Sequence, residues 1–127
     1  MGKKETEAGN QAVLELSRRG AVMFRNNVGL AHYPDGARVR YGLIKGSSDW
    51  IGWLPVTVTP EMVGRRVAVF VACETKAPSA AGARANQRNF IAQVLDGGGL
   101  GFVARGAACV VSAVEGFLAQ LNGEGKV

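Results

Sequence analysis

Short apolar runs alternate with polar, glycine-rich segments along the chain. Good helix formers over Gln11–Arg19, stopped by Gly20, predict a first helix. Period-two alternation or β-branched residues predict strands at Ala21–Phe24, 38–43, Trp50–Trp53, Val67–Cys73 and Leu100–Ala104. Helices are predicted at Arg84–Leu95 and, from capping-box spacing, from Ser112 to about Leu121. This order predicts an α/β fold with a mixed central β-sheet flanked by α-helices.

Two segments refine this picture. Val67–Cys73 is the most apolar run, so we expect a central strand covered on both faces. Gly29–Gly36 contains Pro and Asp-Gly and predicts a loop or hairpin turn. The length of 127 residues favours one domain, placed at 10–127 after a flexible segment 1–9, with a linker at Pro55–Arg66.

Composition excludes several classes of protein. No apolar stretch is long enough to span a bilayer and no apolar run follows the first Met, so we expect no membrane association and a cytoplasmic location. One His and two Cys do not provide the usual zinc or disulfide patterns. The net charge is +5, and Arg makes up most of the basic residues. Because Arg binds phosphate well, nucleic acid is the first partner to consider.

Charged side chains at the end of the most apolar run suggest a chemical site. Glu74 and Lys76 follow that run two residues apart, so they lie on one face of the strand. Asp49 stands between a loop of small residues and an apolar strand. The Asp49 and Glu74 carboxylates, with the backbone carbonyl of Thr75, are the oxygen ligands that Mg²⁺ prefers. Lys76 can orient a water or neutralise charge on a phosphate.

A polar residue on the second predicted helix adds to this site. Gln87 precedes Phe90, Ile91 and Val94 by three, four and seven residues, so its amide lies on the inward side of the helix. Arg84 and Arg88 share a neighbouring face, where they can contact phosphates. Simpler interpretations stay open: Asp49 as a loop or capping residue, Glu74 and Lys76 as a weak ion pair, and Gln87 as an amide bonded to backbone.

The chain has Asp49 first, then Glu74 and Lys76 as a Glu-x-Lys motif at a strand end, then an inward Gln87 on the next helix. This order resembles that of the PD-(D/E)xK nuclease superfamily. More narrowly, the chain is similar to small stand-alone phage and bacterial domains of the virus-type replication-repair nuclease (VRR-NUC) branch. The segments that carry the resemblance are Phe24–Gly29, Tyr41–Leu43, Gly46–Gly52, Glu74–Lys76, Gln87 and Gly97–Gly99.

The resemblance implies a restriction-endonuclease-like core and an endonuclease that hydrolyses DNA with Mg²⁺, or with Mn²⁺ in its place. It implies catalytic roles for Asp49, Glu74, Lys76 and Gln87, and a homodimer that acts on branched or Holliday-junction DNA in a bacterial or phage-infected cell. It also implies a Glu on the first helix as a further metal ligand; Glu5, Glu7 and Glu15 are the candidates, and Glu7 is preferred. We expect the DNA phosphate backbone to be contacted by Arg25, Arg84, Arg88 and Arg40. Two alternatives are a resolvase proper and a nucleic-acid-binding module with a degenerate site.

Overall fold

The computed structural model describes residues 3–123, with side chains from Thr6 onward. The chain divides into two compact units, one that ends at Val56 and one that begins at Thr57. The boundary falls inside the linker predicted at 55–66. The assignment of 10–127 to a single nuclease domain stays a prediction.

The first unit starts with a helix that is longer than its sequence pattern suggests. Its elements are α1 (Lys3–Arg18), β1 (Val22–Arg25), β2 (Gly29–His32), β3 (Arg38–Tyr41) and β4 (Trp50–Trp53). The predicted helix over Gln11–Arg19 is longer at its start: α1 begins at Lys3, because Lys, Glu and Ala there are good helix formers. The flexibility of residues 1–9 stays a prediction. The side chain of Glu5 lies outside the described residues.

Two antiparallel strand pairs follow α1. β1 pairs with β4, with Arg25 opposite Trp50. β2 pairs with β3 in a hairpin, with Gly29 opposite Tyr41. The predicted hairpin turn is confirmed, but Gly29–His32 is a strand, which the sequence pattern did not indicate because the segment is short and contains a glycine.

The second unit contains a parallel strand pair with two helices. After a short 3-10 helix (Pro60–Met62), its elements are β5 (Val71–Thr75), α2 (Ala85–Asp96), β6 (Leu100–Ala104) and α3 (Ala107–Leu121). In the 3-10 helix, hydrogen bonds from the backbone and from the Thr59 side chain lower the pKa of Glu61. The prediction for α2 is confirmed to within one residue at each end, and β6 matches its prediction.

Two predictions for the second unit are wrong in detail. The strand over Val67–Cys73 instead runs over Val71–Thr75, and its residues alternate between exposed and half-buried, so it is not covered on both faces. α3 begins at Ala107, so Ser112 is inside the helix and does not cap it. Alanine and cysteine before Ser112 allow the helix to start earlier, directly after β6.

Close packing of α2 against β6 forms the best-buried part of this unit. Val94 is 1% exposed, and Leu100 and Ala104 are also buried. A Cβ at Gly101 would lie 3.1 Å from the side chain and the carbonyl of Ile91, so the glycine lets the helix approach the strand closely. This packing fixes α2 over the strand pair that carries Glu74.

The described residues form an α/β fold, with three helices and three two-stranded sheets, of which one is parallel and two are antiparallel. The predicted α/β class is thereby confirmed, while the described strands form three pairs in place of the one mixed central sheet that was predicted. Within residues 3–123, no helix is both long enough and apolar enough to cross a membrane.

Candidate active site

The end of β5 brings Glu74 and Lys76 together, as the period of a strand predicts. Lys76 Nζ lies 3.6 Å from Glu74 Oε1, and the two side chains are 17% and 32% exposed. The amide of Lys76 donates to the carbonyl of Ala104 at 3.0 Å, so pairing with β6 continues one residue beyond the strand. The backbone that presents both charged groups, and the Thr75 carbonyl between them, is therefore fixed by the parallel sheet.

Gln87 connects this strand end to the start of α2. Its Nε2 donates to Glu74 Oε1 at 2.8 Å, and its Oε1 accepts the backbone amide of Arg84 at 2.8 Å. The second bond satisfies one of the free amides at the helix N-terminus. The side chain shares the inward side of α2 with half-buried Phe90 and Ile91, as the helical spacing predicts. Gln87 is thus bonded both to backbone and to the candidate carboxylate, and it orients that carboxylate.

Glu74, Lys76 and Gln87 form what we call the strand-end cluster. Both contacts to Glu74 fall on Oε1, so Oε2 is the oxygen that the described contacts leave unused. A cavity of about 460 Å³ opens beside Glu74 and Gln87, between β5 and α2. A half-buried carboxylate with one oriented oxygen and one unused oxygen can bind a hard cation or accept a proton from water.

An arginine that the sequence analysis missed holds the loop that follows the cluster. Arg105, directly after β6, donates from Nη1 to the carbonyls of Ala77 and Ala80 at 2.8 Å each. Because β5 and β6 are parallel, a residue just past β6 lies beside the loop just past β5. An Arg at that position is the signal that could have identified this contact.

In the first unit, Asp49 lies at the end of a loop that connects β3 to β4. The side chain of Asn26 bonds to this loop at three points. The backbone amide of Asn26 donates to the carbonyl of Asp49 at 2.7 Å. Asp49 itself is exposed. The sequence pattern alone predicts no role for Asn26; its local signal is its position directly after β1.

Arg25 lies beside Asp49 in the same unit. Both residues line a polar cavity of about 430 Å³, together with Asn26, Tyr41 and Ser47. The Arg25 guanidinium stacks over the Trp50 ring at 5.3 Å and its Nε donates to Asn27 Oδ1 at 2.9 Å. An exposed arginine held next to a carboxylate is well placed to contact a phosphate that a cation on that carboxylate also binds.

The first helix also borders Asp49. Thr6, Gly9 and Asn10 line a cavity of about 320 Å³ with Asp49 and Trp50. Glu7 is exposed on the same helical segment, whereas Glu15 forms ion pairs with Arg18 and Arg19. Of the two described candidates for a glutamate on the first helix, Glu7 is therefore on the segment beside Asp49, and Glu15 is engaged elsewhere.

The other predicted DNA contacts are at the surface. Arg84 and Arg88 lie at the start of α2, where the Arg88 guanidinium donates to the carbonyl of Ala83. Arg40 is exposed on β3 and lines a wide cavity with Leu43, Ile44 and Lys45. All three arginines are exposed; Arg40 lies in the first unit, and Arg84 and Arg88 lie in the second.

The donors present fit a hard cation in type. Asp49, Glu74 and the Thr75 carbonyl offer oxygen atoms, which Mg²⁺ and Mn²⁺ accept. Among the described residues, no group of three or more His, Cys, Asp or Glu side chains could hold a metal ion by itself. Asp49 belongs to the first unit, and Glu74 and Thr75 belong to the second. In either unit a cation would need water or substrate phosphate to complete its ligand shell, as is usual for Mg²⁺.

Comparison of the chain with family models, with curated proteins and with solved structures gives no match.

Proposed function

We propose that this protein is a Mg²⁺-dependent endonuclease that hydrolyses phosphodiester bonds in DNA, similar to the VRR-NUC branch of the PD-(D/E)xK superfamily. The observation that carries the proposal is the strand-end cluster. A carboxylate, an ammonium and an inward amide meet at the end of one strand, in the order and spacing that the resemblance implies.

The candidate metal ligands are Asp49 in the first unit and Glu74 with the Thr75 carbonyl in the second, with Glu7 as a further candidate, and Mn²⁺ would substitute for Mg²⁺. Such an ion lowers the pKa of a bound water and stabilises charge on a scissile phosphate. Lys76 supplies a positive charge next to Glu74, where it orients the attacking water or neutralises the phosphate. Gln87 restricts Glu74 to one orientation, so that little reorganisation is needed when substrate binds.

The proposed substrate is DNA, with a preference for branched structures, bound by a homodimer in the cytoplasm of a bacterial or phage-infected cell. Arg25, Arg84, Arg88 and Arg40 would contact the phosphate backbone. The net charge of +5 is modest, so these contacts would position DNA around the carboxylates without relying on a strongly basic surface.

A second candidate function is nucleic-acid binding without catalysis. Glu74 is already paired with Lys76 and Gln87, and such an ion pair can be purely structural. In this alternative the carboxylates would have no metal, and DNA binding would depend on the arginines alone.

The test compares cleavage of plasmid, linear duplex and a synthetic four-way junction in Mg²⁺ or Mn²⁺. We expect the wild type to cut and Asp49→Ala and Glu74→Ala to lose cutting, while Glu115→Ala, which removes an exposed carboxylate of α3, keeps it. Cutting that persists in both site variants, or that never occurs with either metal, would contradict the nuclease proposal. A salt-dependent shift in the electrophoretic mobility of the DNA, without cutting, would support the nucleic-acid-binding module. Paired cuts in the junction alone would support a resolvase.

A further inference from the structure

We propose that Asn26 is a positioning residue that fixes the loop between β3 and β4 and thereby places the Asp49 carboxylate for metal binding. The metal-ligand role of Asp49 is part of the proposed function, and this inference rests on it in that respect. The fixing of the loop rests on the geometry of the first unit alone.

The side chain of Asn26 uses its donors and its acceptor on the loop. Nδ2 donates to Ser47 Oγ and to the carbonyl of Ser48, both at 2.8 Å. Oδ1 accepts the amide of Leu43 at 3.0 Å. The two hydrogens of the amide group and one lone pair of its oxygen are therefore engaged, close to the full capacity of an asparagine.

The loop has few other means of holding one conformation. Gly42 and Gly46 adopt positive φ angles of 80° and 89°, and the residues from Leu43 to Lys45 are exposed. A Cβ at Gly42 would contact the carbonyl of Asn27, so the loop passes directly over the backbone next to Asn26. Little apolar packing orders such a segment, and hydrogen bonds to a fixed partner do so instead.

Asn26 is a fixed partner because it directly follows β1. Its own amide donates to the carbonyl of Asp49, immediately beyond the Arg25–Trp50 pair of the β1–β4 sheet. The Asp49 side chain is exposed and gains no orientation from burial. The position of the Asp49 carboxylate is thus set by the backbone of Asp49, and Asn26 fixes the backbone on the N-terminal side of Asp49.

Asparagine supplies both the donors and the acceptor that the loop uses. Aspartate keeps the acceptor for Leu43 but places a carboxylate oxygen against the carbonyl of Ser48. Alanine removes all three side-chain bonds and keeps the backbone bond to Asp49, so the β1–β4 pairing has its main support in either variant. We therefore expect both variants to fold and to lose the order of the loop.

The test uses terbium(III) as a metal probe whose luminescence is sensitised by tryptophan, because Trp50 is the residue next to Asp49. Asn26→Ala and Asn26→Asp should require 10–100-fold more terbium for half-saturation, the range typical of residues that orient a metal ligand. Asn89→Ala, which removes an exposed asparagine of α2, is the matched control and should bind as the wild type does. Asp49→Ala should abolish the signal that depends on this carboxylate.

Kinetics and amide exchange provide readouts that a general loss of stability does not explain. Both Asn26 variants should lower kcat for DNA cleavage and leave KM for DNA unchanged. In Asn26→Ala the amide of Leu43 should exchange with solvent faster than in the wild type, whereas amides of the β1–β4 pair should keep their protection.

The outcomes separate this inference from the proposed function. Wild-type terbium affinity and wild-type Leu43 exchange in the Asn26 variants would overturn the inference, whether or not the protein cuts DNA. Absence of cutting by the wild type would overturn the nuclease proposal, and Leu43 exchange would still decide the role of Asn26. If Asn26→Ala does not fold, Ser47→Ala, which removes one of the three bonds, should weaken terbium binding severalfold, and an unchanged affinity would overturn the inference.

Discussion

Replacing Gln87 separates its two hydrogen bonds. Gln87→Ala removes both the acceptor for the Arg84 amide and the donor to Glu74. Gln87→Glu keeps an acceptor for the Arg84 amide and removes only the donor. Because the glutamate also places a second carboxylate against Glu74, the strand-end cluster then has two like charges within hydrogen-bond distance.

The size of the effect follows from the exposure of the two partners. A hydrogen bond to a charged group contributes about 1.5–3 kcal/mol, and the Glu74 side chain is 32% exposed, so water replaces part of it and the lower end applies. The bond at the exposed helix start adds about 0.5–1 kcal/mol. We expect Gln87→Ala to lower the free energy of unfolding by about 2 kcal/mol. In Gln87→Glu the added negative charge stabilises the helix N-terminus by about 0.3–1 kcal/mol. The destabilisation in this variant comes only from the lost hydrogen bond and the new charge repulsion at Glu74.

Denaturant unfolding with and without Mg²⁺ distinguishes the two variants. A cation between two carboxylates relieves their repulsion, so Mg²⁺ should stabilise Gln87→Glu more than it stabilises Gln87→Ala or the wild type. Gln93→Ala and Gln93→Glu, at an exposed position of the same helix, are the matched controls. If Gln87→Glu is as stable as the wild type without metal and gains nothing from Mg²⁺, the contact between Gln87 and Glu74 does not have the role assigned to it.

Three further predictions concern packing and DNA contact. Gly52→Ala places a Cβ against the carbonyl of Val22 and should cost about 3 kcal/mol, whereas Gly82→Ala has open space and should change stability by less than about 0.5 kcal/mol; equal unfolding midpoints would contradict this. Val94→Ala empties the best-buried position of α2 and should cost about 2 kcal/mol by the same measurement, and a neutral effect would show that this site is not packed. Arg25→Ala should weaken DNA binding and reduce the slope of log affinity against log salt by about 1, and an unchanged slope would exclude a phosphate contact.

The elements predicted correctly are those whose signals are local. The apolar positions of α2 recur with helical spacing, and the apolar run at β6 has the length of a strand, so each segment indicates its own secondary structure. The two-residue period of a strand is enough to place Glu74 and Lys76 on one side of β5. The contact between Gln87 and the end of β5 also follows, because the inward side of a helix that connects parallel strands must face them.

The features that could not be predicted depend on distant parts of the chain. α1 begins earlier than expected, and its residue Gly9 lies close to Trp50, forty-one positions away; the Cβ that it lacks would be 3.5 Å from the indole nitrogen. β5 is exposed on alternate residues. This could not be predicted, because apolar composition does not determine which faces of a strand other elements cover. The side-chain hydrogen bonds of Asn26 and of Arg105 connect residues 17 or more positions apart, and no pattern within one segment encodes them.

The most direct test of the central claim is metal-dependent cleavage by the wild type and by Glu74→Ala under single-turnover conditions. The substrate is a labelled four-way junction, with Mg²⁺, with Mn²⁺ and with a chelator. We predict cutting by the wild type in either metal, none in chelator, and a loss of at least about a thousandfold in Glu74→Ala with junction affinity retained. Equal cutting by the two proteins, or cutting in chelator, would contradict a metal-dependent nuclease centred on Glu74.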